Sequence, residues 1–389
     1  MIFFEIHTRH IPLFNRLLMS SILLLDEFRF TLVAYFQLGF VALSVVLIYK
    51  LVKENFDDVW IIIPIGILLF NSLQQYTFLW ALGGSAQTLS LISLVSMVYL
   101  LNKKDISSKR FSLALFSVFV CMFSNAIGLF TWPLGLLSLL NKKYRKYAII
   151  WIINGFLLTM IFSFLLISNT SEIHGVDNIV KQHDLDDLFL YFLASIALPF
   201  RLIFSSFHFV YGFLSTILFL SLTILTLRNR DDLERKVPWI QIGCFGFIFT
   251  IITTFLQADT WNENPVKLGE WYITLITLIH IGNIGLFYIY GKKWIKNLTH
   301  AKKRRMILLF YFVYIFMILV LIPSYYVGWK NASGTYDIYV KNKECFDNPA
   351  LENQYCDKNV PETIARYGDK EIFDFLVREK LNIFSLNPK

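Results

Sequence analysis

The chain has 389 residues, is 56% hydrophobic and 17% aromatic, and carries only 16% charged residues at a net charge of +8. A soluble domain would carry about a quarter charged residues, so a soluble globular class is excluded, and recurrent apolar runs of about 20 residues indicate a multi-pass membrane protein. The cations lie in short segments between those runs, which argues for orientation in a bilayer and against nucleic acid as a partner.

In chain order, residues 1–16 hold no apolar core or small-residue cleavage site, so no cleavable signal is read there. Spans are predicted at about 31–52, 59–80, 85–101, 111–126, 128–140, 147–168, 207–227, 238–257, 271–290 and 306–328. The fold class is therefore all-α, a polytopic transmembrane helix bundle of about nine or ten spans or half-spans. The runs 111–126 and 128–140 are too short for two full crossings. They are expected to form one hairpin of broken helices meeting at Gly128, with Trp132-Pro133 interrupting the second. Three parts follow: an outer-face loop with an amphipathic interfacial helix at 1–30, the bundle at 31–328, and a small extracytoplasmic tail domain at 329–389.

Charge assigns the sides. The loops near 50–53, 103–110, 142–146, 228–236 and 292–305 hold 21 of the 36 cations, the opposite short segments hold six, and the tail holds nine. Short cytoplasmic loops are rich in Lys and Arg, so the cation-rich side is expected to be cytoplasmic. Residues 1–30 and the tail then lie outside, in a cell membrane. A chain that begins outside without a signal raises the expectation of an upstream span missing from the sequence, alongside simple translocation of a short N-terminus. Cys345 and Cys356 are expected to form a disulfide in an oxidising compartment.

The chemistry-bearing stretch is Glu5-Ile-His7-Thr-Arg9-His10-Ile-Pro12. Extended, Glu5, His7 and Arg9 share one face; helical, Glu5 with Arg9 and His7 with His10 are neighbours. A carboxylate beside cations suits a general base that deprotonates an acceptor hydroxyl while Arg or His⁺ stabilises a departing phosphate. A solvated, frayed N-terminus is the alternative. Further along, Asn71, Gln74, Gln75 and Gln87 gather near the outer ends of two consecutive spans, and His280 and Asn283 lie mid-span. Intramembrane polar groups suggest a lined cavity, and amides also serve as interhelical hydrogen bonds. Arg201 beside Pro199 suits an anionic head group or simple snorkelling. Lys267, Trp271 and Tyr272 occupy a short outer loop in which the aromatics either anchor the interface or stack on sugar rings. No cofactor is named by the sequence. His183 and Asp187, four apart in an acidic outer loop, leave a divalent metal open, and no dense ligand motif is present.

Four pieces carry a resemblance: Glu5-Ile-His7-Thr-Arg9-His10-Ile-Pro12-Leu13; the run from Asn71 through Gln74 and Gln75 to Trp80; the run from Ser124 through Gly128 and Trp132-Pro133 to Gly135; and Leu376–Phe384. In this order they resemble the GT-C superfamily of polytopic membrane glycosyltransferases, of the type found among prokaryotic surface-polysaccharide genes. The resemblance implies sugar transfer from a polyprenyl-phosphate donor to a glycan, lipid or protein acceptor on the outer face. Glu5 would be the base of an inverting reaction, with His7, Arg9 and His10 on phosphate or acceptor. Gln74, Gln75 and Trp80 would line the sugar pocket. The chain departs from the family pattern twice. The family's first span, which carries the catalytic acid at its outer end, is missing, and Trp271-Tyr272 stands where relatives show Arg-Tyr, leaving Lys267 to supply the positive charge. The rival readings are a transporter or flippase of lipid-linked sugars and a non-catalytic membrane assembly subunit.

Overall fold

The structure, a computed structural model, describes residues 13–25, 30–56, 59–74, 77–78, 81–140, 142–168, 185–200, 208–229, 232–261 and 272–296, with further helical positions between 302 and 330. Eleven helices follow in order among the described residues: α1 (Leu13–Leu25), α2 (Phe30–Asn55), α3 (Ile62–Leu69), α4 (Ala81–Leu101), α5 (Ser108–Met122), α6 (Thr131–Leu139), α7 (Arg145–Ser168), α8 (Leu185–Ala197), α9 (His208–Arg228), α10 (Leu233–Trp261) and α11 (Ile273–Lys296). The described residues contain no strand, and six helices (α2, α4, α7, α9, α10, α11) are long and apolar enough to cross a membrane. The protein is an all-α multi-pass bundle. The tail, and with it Cys345 and Cys356, lies outside the described residues.

Burial sorts the six long helices. The apolar windows of α4, α10 and α11 are 72% buried, while those of α7, α2 and α9 are 17%, 28% and 33% buried. The first three form the centre and the others present apolar side chains outward, where only acyl chains offer a compatible surface. α10 and α11 approach most closely. A Cβ on Gly282 would sit 2.7 Å from the Gly243 Cα, and one on Gly285 would sit 2.1 Å from the Trp239 ring, which is itself fully buried. Without a hydrophobic drive between helices in lipid, such close backbone approach is what earns dispersion energy.

The helix ends collect the cationic loops on one side. The end of α2 meets the end of α4 through the Glu54–Lys103 ion pair. Phe56 stacks on Trp239 at the start of α10 (5.5 Å) and meets Tyr288 near the end of α11 (4.7 Å). Asn102, just past α4, donates to Gln241 of α10 (2.7 Å) and accepts from Ser138 of α6 (3.0 Å). Lys143 before α7 pairs with Asp105 before α5 (2.6 Å). We call this the basic end. Lys236 is buried here at 1% exposure; its Nζ donates to the Asn229 carbonyl (3.4 Å) at the end of α9 and lies over the Tyr290 ring. A cation at a helix C-terminus suits the dipole and supplies an orphan carbonyl with a donor.

The expected hairpin over 111–140 is present as α5, a short 3₁₀ segment (Ala126–Phe130) and α6. Asn125 shapes the turn, its Oδ1 accepting from Ile127 N (3.3 Å). A Cβ on Gly128 would lie 2.4 Å from the Cys121 backbone, so the turn closes only on a bare backbone there. Two segments differ from the sequence expectation. The span predicted at 59–80 is interrupted: α3 stops at Leu69 and a 3₁₀ turn (Ser72–Gln74) follows. The Asn71 side chain causes the break locally, since its Oδ1 takes the Leu73 N–H (3.0 Å) from the helical ladder. The second difference is α8, which belongs to no predicted span. It begins at an exposed Leu185 with Asp186 and Asp187 in its first turn, and ends in a buried 3₁₀ turn, Leu198–Phe200. Acids favour that N-terminus, and Pro199 disfavours helix at the residue before it. The Ile196 carbonyl reaches His280, seven residues into α11, roughly 10 Å below its first residue at 1.5 Å per residue. The end of α8 therefore lies about two turns along α11, level with His280.

Two outcomes are expected. Gly282→Leu should overpack the α10–α11 crossing by about 1–3 kcal/mol and lower the thermal midpoint of the purified protein, whereas Gly39→Ala, with nothing within 4 Å of the new methyl, should leave it unchanged or raise it. The Lys143 ammonium, helped by Lys104 and Arg110, holds the Asp105 carboxyl below the usual carboxylate range. A depressed carboxylate stabilises the fold above its unfolded pKa and loses that contribution as pH falls through the folded value. The stability difference between wild type and Asp105→Asn should thus persist through mildly acidic pH and vanish only in stronger acid, as read from midpoints across a pH series.

Candidate functional site

Opposite the basic end, the bundle holds a band of buried polar side chains, gathered where a long helix meets one that stops short or turns back. The first group lies at the α3 break. Gln74 Nε2 donates to the Leu68 carbonyl (2.8 Å), and Gln74 Oε1 accepts from the Thr274 hydroxyl (2.8 Å), which is 3.1 Å from the Thr77 hydroxyl. All three side chains are at most 1% exposed. Asn71, also buried, donates to the Pro199 carbonyl at the end of α8 (3.3 Å). Across the break, Tyr325 OH donates to the Ile67 carbonyl (2.8 Å) and Ser72 Oγ to the Tyr325 carbonyl (2.8 Å).

The second group surrounds His280. Its Nε2 lies 2.8 Å from the Ile196 carbonyl, an acceptor, so Nε2 carries the proton. Nδ1 then accepts, and the Ser215 hydroxyl (3.3 Å) and Tyr211 hydroxyl (3.5 Å) face it. Asn283 Nδ2 donates to both Ser215 O and Ser215 Oγ, each at 3.1 Å. The donors run in one direction, from Asn283 through Ser215 to His280 and on to the α8 terminus. Phe200 packs edge-on against His280 (5.2 Å) and beside Tyr211 (4.8 Å), joining the two groups through α8.

The third group is at the hairpin turn. Phe14 N donates to the Phe123 carbonyl (3.3 Å) and Asn15 Nδ2 to the Ser124 carbonyl (3.0 Å). The Phe14 ring sits edge-on against Phe119 (5.5 Å). The first turn of α1 thus covers the end of α5, pairing positive and negative helix ends. Asn15 Oδ1 and Ser124 Oγ have no hydrogen-bond partner among the described residues although both side chains are 1% exposed.

Of the residues singled out from sequence, the structure describes Asn71, Gln74, Gln87, Asp187, Tyr272, His280 and Asn283, with His280 and Asn283 in the second group and Asp187 in the first turn of α8. Gln74 is in the first group. Tyr272 precedes α11, packs edge-on against Phe249 (5.6 Å), and its carbonyl accepts from Leu275 N and Ile276 N (3.2 Å each). Glu5, His7, Arg9, His10, Gln75, Trp80, Arg201, Lys267, Trp271, and His183 of the metal alternative lie outside the described residues. Among the described residues no three His, Cys, Asp or Glu side chains gather as a metal site. Sequence reasoning did not single out Asn15, Thr77, Tyr211, Ser215 or Thr274. Only Asn15 carried a local signal, a polar residue in the first turn of an otherwise apolar segment. No protein-family model, curated protein or solved structure matches the chain.

His280→Leu removes the donor to Ile196 O and the acceptor for Ser215. Leaving such buried groups unpaired costs about 1–3 kcal/mol each, so the variant should unfold at clearly lower temperature, as should Asn71→Leu, which removes the donor to Pro199 O and the acceptor for Leu73 N. Midpoints of the purified variants in one detergent provide the comparison.

Proposed function

We propose that the chain is an inverting membrane glycosyltransferase of GT-C type, which moves a sugar from a polyprenyl-phosphate donor to an acceptor on the outer face of a cell membrane. The reading takes the basic end as cytoplasmic, following the enrichment of Lys and Arg in short cytoplasmic loops. One observation carries it. The helix breaks near Asn71, Pro199 and Asn125, with the buried polar groups that hold them, lie away from the basic loops, and the sequence bearing Glu5, His7, Arg9 and His10 continues directly into α1, where Phe14 and Asn15 dock on the hairpin turn. In this reading Glu5 takes the proton from the acceptor hydroxyl, and Arg9 with the histidines stabilises the leaving phosphate. Gln74 Nε2 and Oε1 each carry one bond already, which leaves the amide one further N–H and one lone pair to orient a sugar hydroxyl. Gln75, Trp80, Arg201, Lys267, Trp271 and Tyr272 complete the substrate set in this proposal.

A transporter or flippase of lipid-linked sugars is the second reading, favoured by the polar line between α9 and α11. It runs from Tyr211, Ser215, His280 and Asn283 to Thr226 and Tyr290, whose hydroxyls are 2.9 Å apart near the basic end. Membranes containing the full chain should transfer sugar from a polyprenyl-phosphate donor, and Glu5→Gln should reduce turnover at least a hundredfold, the scale of a lost general base, with an unchanged thermal midpoint. Full turnover in that variant removes Glu5 as the base. Absent transfer together with wild-type-dependent movement of the lipid-linked sugar between leaflets favours the second reading.

A further inference from the structure

We propose that the basic end carries a binding site for a phosphate-bearing anionic phospholipid, built where the starts of α5 and α7 meet. The loop before α5 and the loop before α7 are packed together. Tyr144 OH donates to the Lys104 carbonyl (2.8 Å), Ser108 Oγ lies 3.1 Å from Tyr147 OH, and the Phe111 ring stacks on Tyr147 (4.5 Å). This places Lys103, Lys104, Lys109, Arg110, Lys143, Arg145 and Lys146 in one cluster. Its carboxylates are Asp105 and Glu54, and both are committed: Glu54 pairs with Lys103 and Asp105 with Lys143. Arg110 donates to the Asp105 backbone carbonyl (2.7 Å), which brings no negative charge. No ion pair among the described residues involves Lys104, Lys109, Arg145 or Lys146.

Two features make this more than a loop rich in cations. Lys109 and Arg110 are in the first turn of α5, and Arg145 and Lys146 are in the first turn of α7, with no acid in either turn. Helix N-termini carry partial positive charge and favour anions, so four cations stand where the backbone already opposes them. Asp105 offsets part of their mutual repulsion through Arg110 but is already shared with Lys143 and Lys104, so a further anion from outside the chain would relieve the rest. The second feature identifies that anion as a lipid. By helical periodicity, Lys109 shares a face with Leu113 and Phe116, which are 46% and 58% exposed. Arg145 likewise shares a face with Ile149, Ile152 and Phe156, which are 50%, 54% and 61% exposed. Each cationic turn therefore continues into an open apolar track on a bilayer-spanning or half-spanning helix. A phosphate at the cations and acyl chains along the tracks satisfy both at once, whereas a soluble anion satisfies only the first.

Purified full-length protein in a neutral detergent, titrated with phosphatidylglycerol, phosphatidylcholine or soluble glycerol phosphate and read by native mass spectrometry, tests this. Phosphatidylglycerol should bind at least about tenfold more tightly than phosphatidylcholine, as expected for several cations near an anionic head group, and glycerol phosphate should not displace it. K109Q/R110Q/R145Q/K146Q should abolish the preference. K50Q/K53Q/K292Q/K293Q removes as many charges from the same end and should retain it, while Asp105→Asn should tighten binding without weakening any apolar contact. Equal binding of the two phospholipids by wild type, equal losses in the two fourfold variants, or displacement by glycerol phosphate would each overturn the proposal. If K109Q/R110Q/R145Q/K146Q does not fold, the wild-type preference and the direction of the Asp105→Asn change decide it.

Discussion

The constraint on which this bundle depends is that no backbone carbonyl can go without a donor inside a bilayer. A helix that crosses fully meets it within itself, and a helix that stops halfway does not. This chain has several that stop. At several of these ends a side chain supplies a donor: Asn15 at the end of α5, Tyr325 and the neighbouring Gln74 along α3, and His280 and Asn71 at the end of α8. Polar residues that would be costly alone become inexpensive when each closes a helix end. The same requirement explains why they cluster: the breaks lie mainly in one half of the bundle, and their donors must lie there too.

This bears on how buried amides are read. Gln74, Asn71, His280 and Asn283 stand out in the sequence because polar groups are rare in apolar runs. Their packing shows a first duty that is structural, holding bent backbone at membrane depth. A substrate role, where present, would be added to groups that the fold has already oriented. Such groups are well suited to it, because their rotamers are fixed before any ligand arrives and little ordering cost remains.

Much of the architecture is legible in the sequence, for identifiable reasons. Full crossings are legible because length and apolarity are local properties. The 111–140 hairpin is legible because its runs are too short to span and meet at Gly128; Trp132-Pro133, expected to interrupt the second run, instead lies in the first turn of α6, where proline is tolerated. The convergence of the cationic loops follows from alternation and is reproduced by contacts such as Phe56 with Trp239 and Tyr288. What stays hidden is α8, whose 13 residues fall below any spanning threshold and whose depth is set by His280 on a distant helix. The interruption after Leu69 is hidden because averaging over a window erases one Asn. In the candidate site the polar members were visible as types, but Thr274, Thr77 and Ser215 look like ordinary helix residues until the fold sets them beside Gln74 and His280.

The Tyr325–Ile67 contact spans 258 residues of sequence and Asn15–Ser124 spans 109. A ribosome adding about 5–20 residues per second takes roughly 13–50 s to travel the longer interval. Over that interval the Ile67 carbonyl of α3 exists without the tyrosine that pairs it in the finished fold. Insertion and completion are therefore separate events for this chain. The nascent bundle passes through a stage in which its broken helices are incompletely sealed and depend on water, lipid head groups or the insertion machinery for their missing donors. Truncations that spare every central helix but remove Tyr325 leave the chain at that stage.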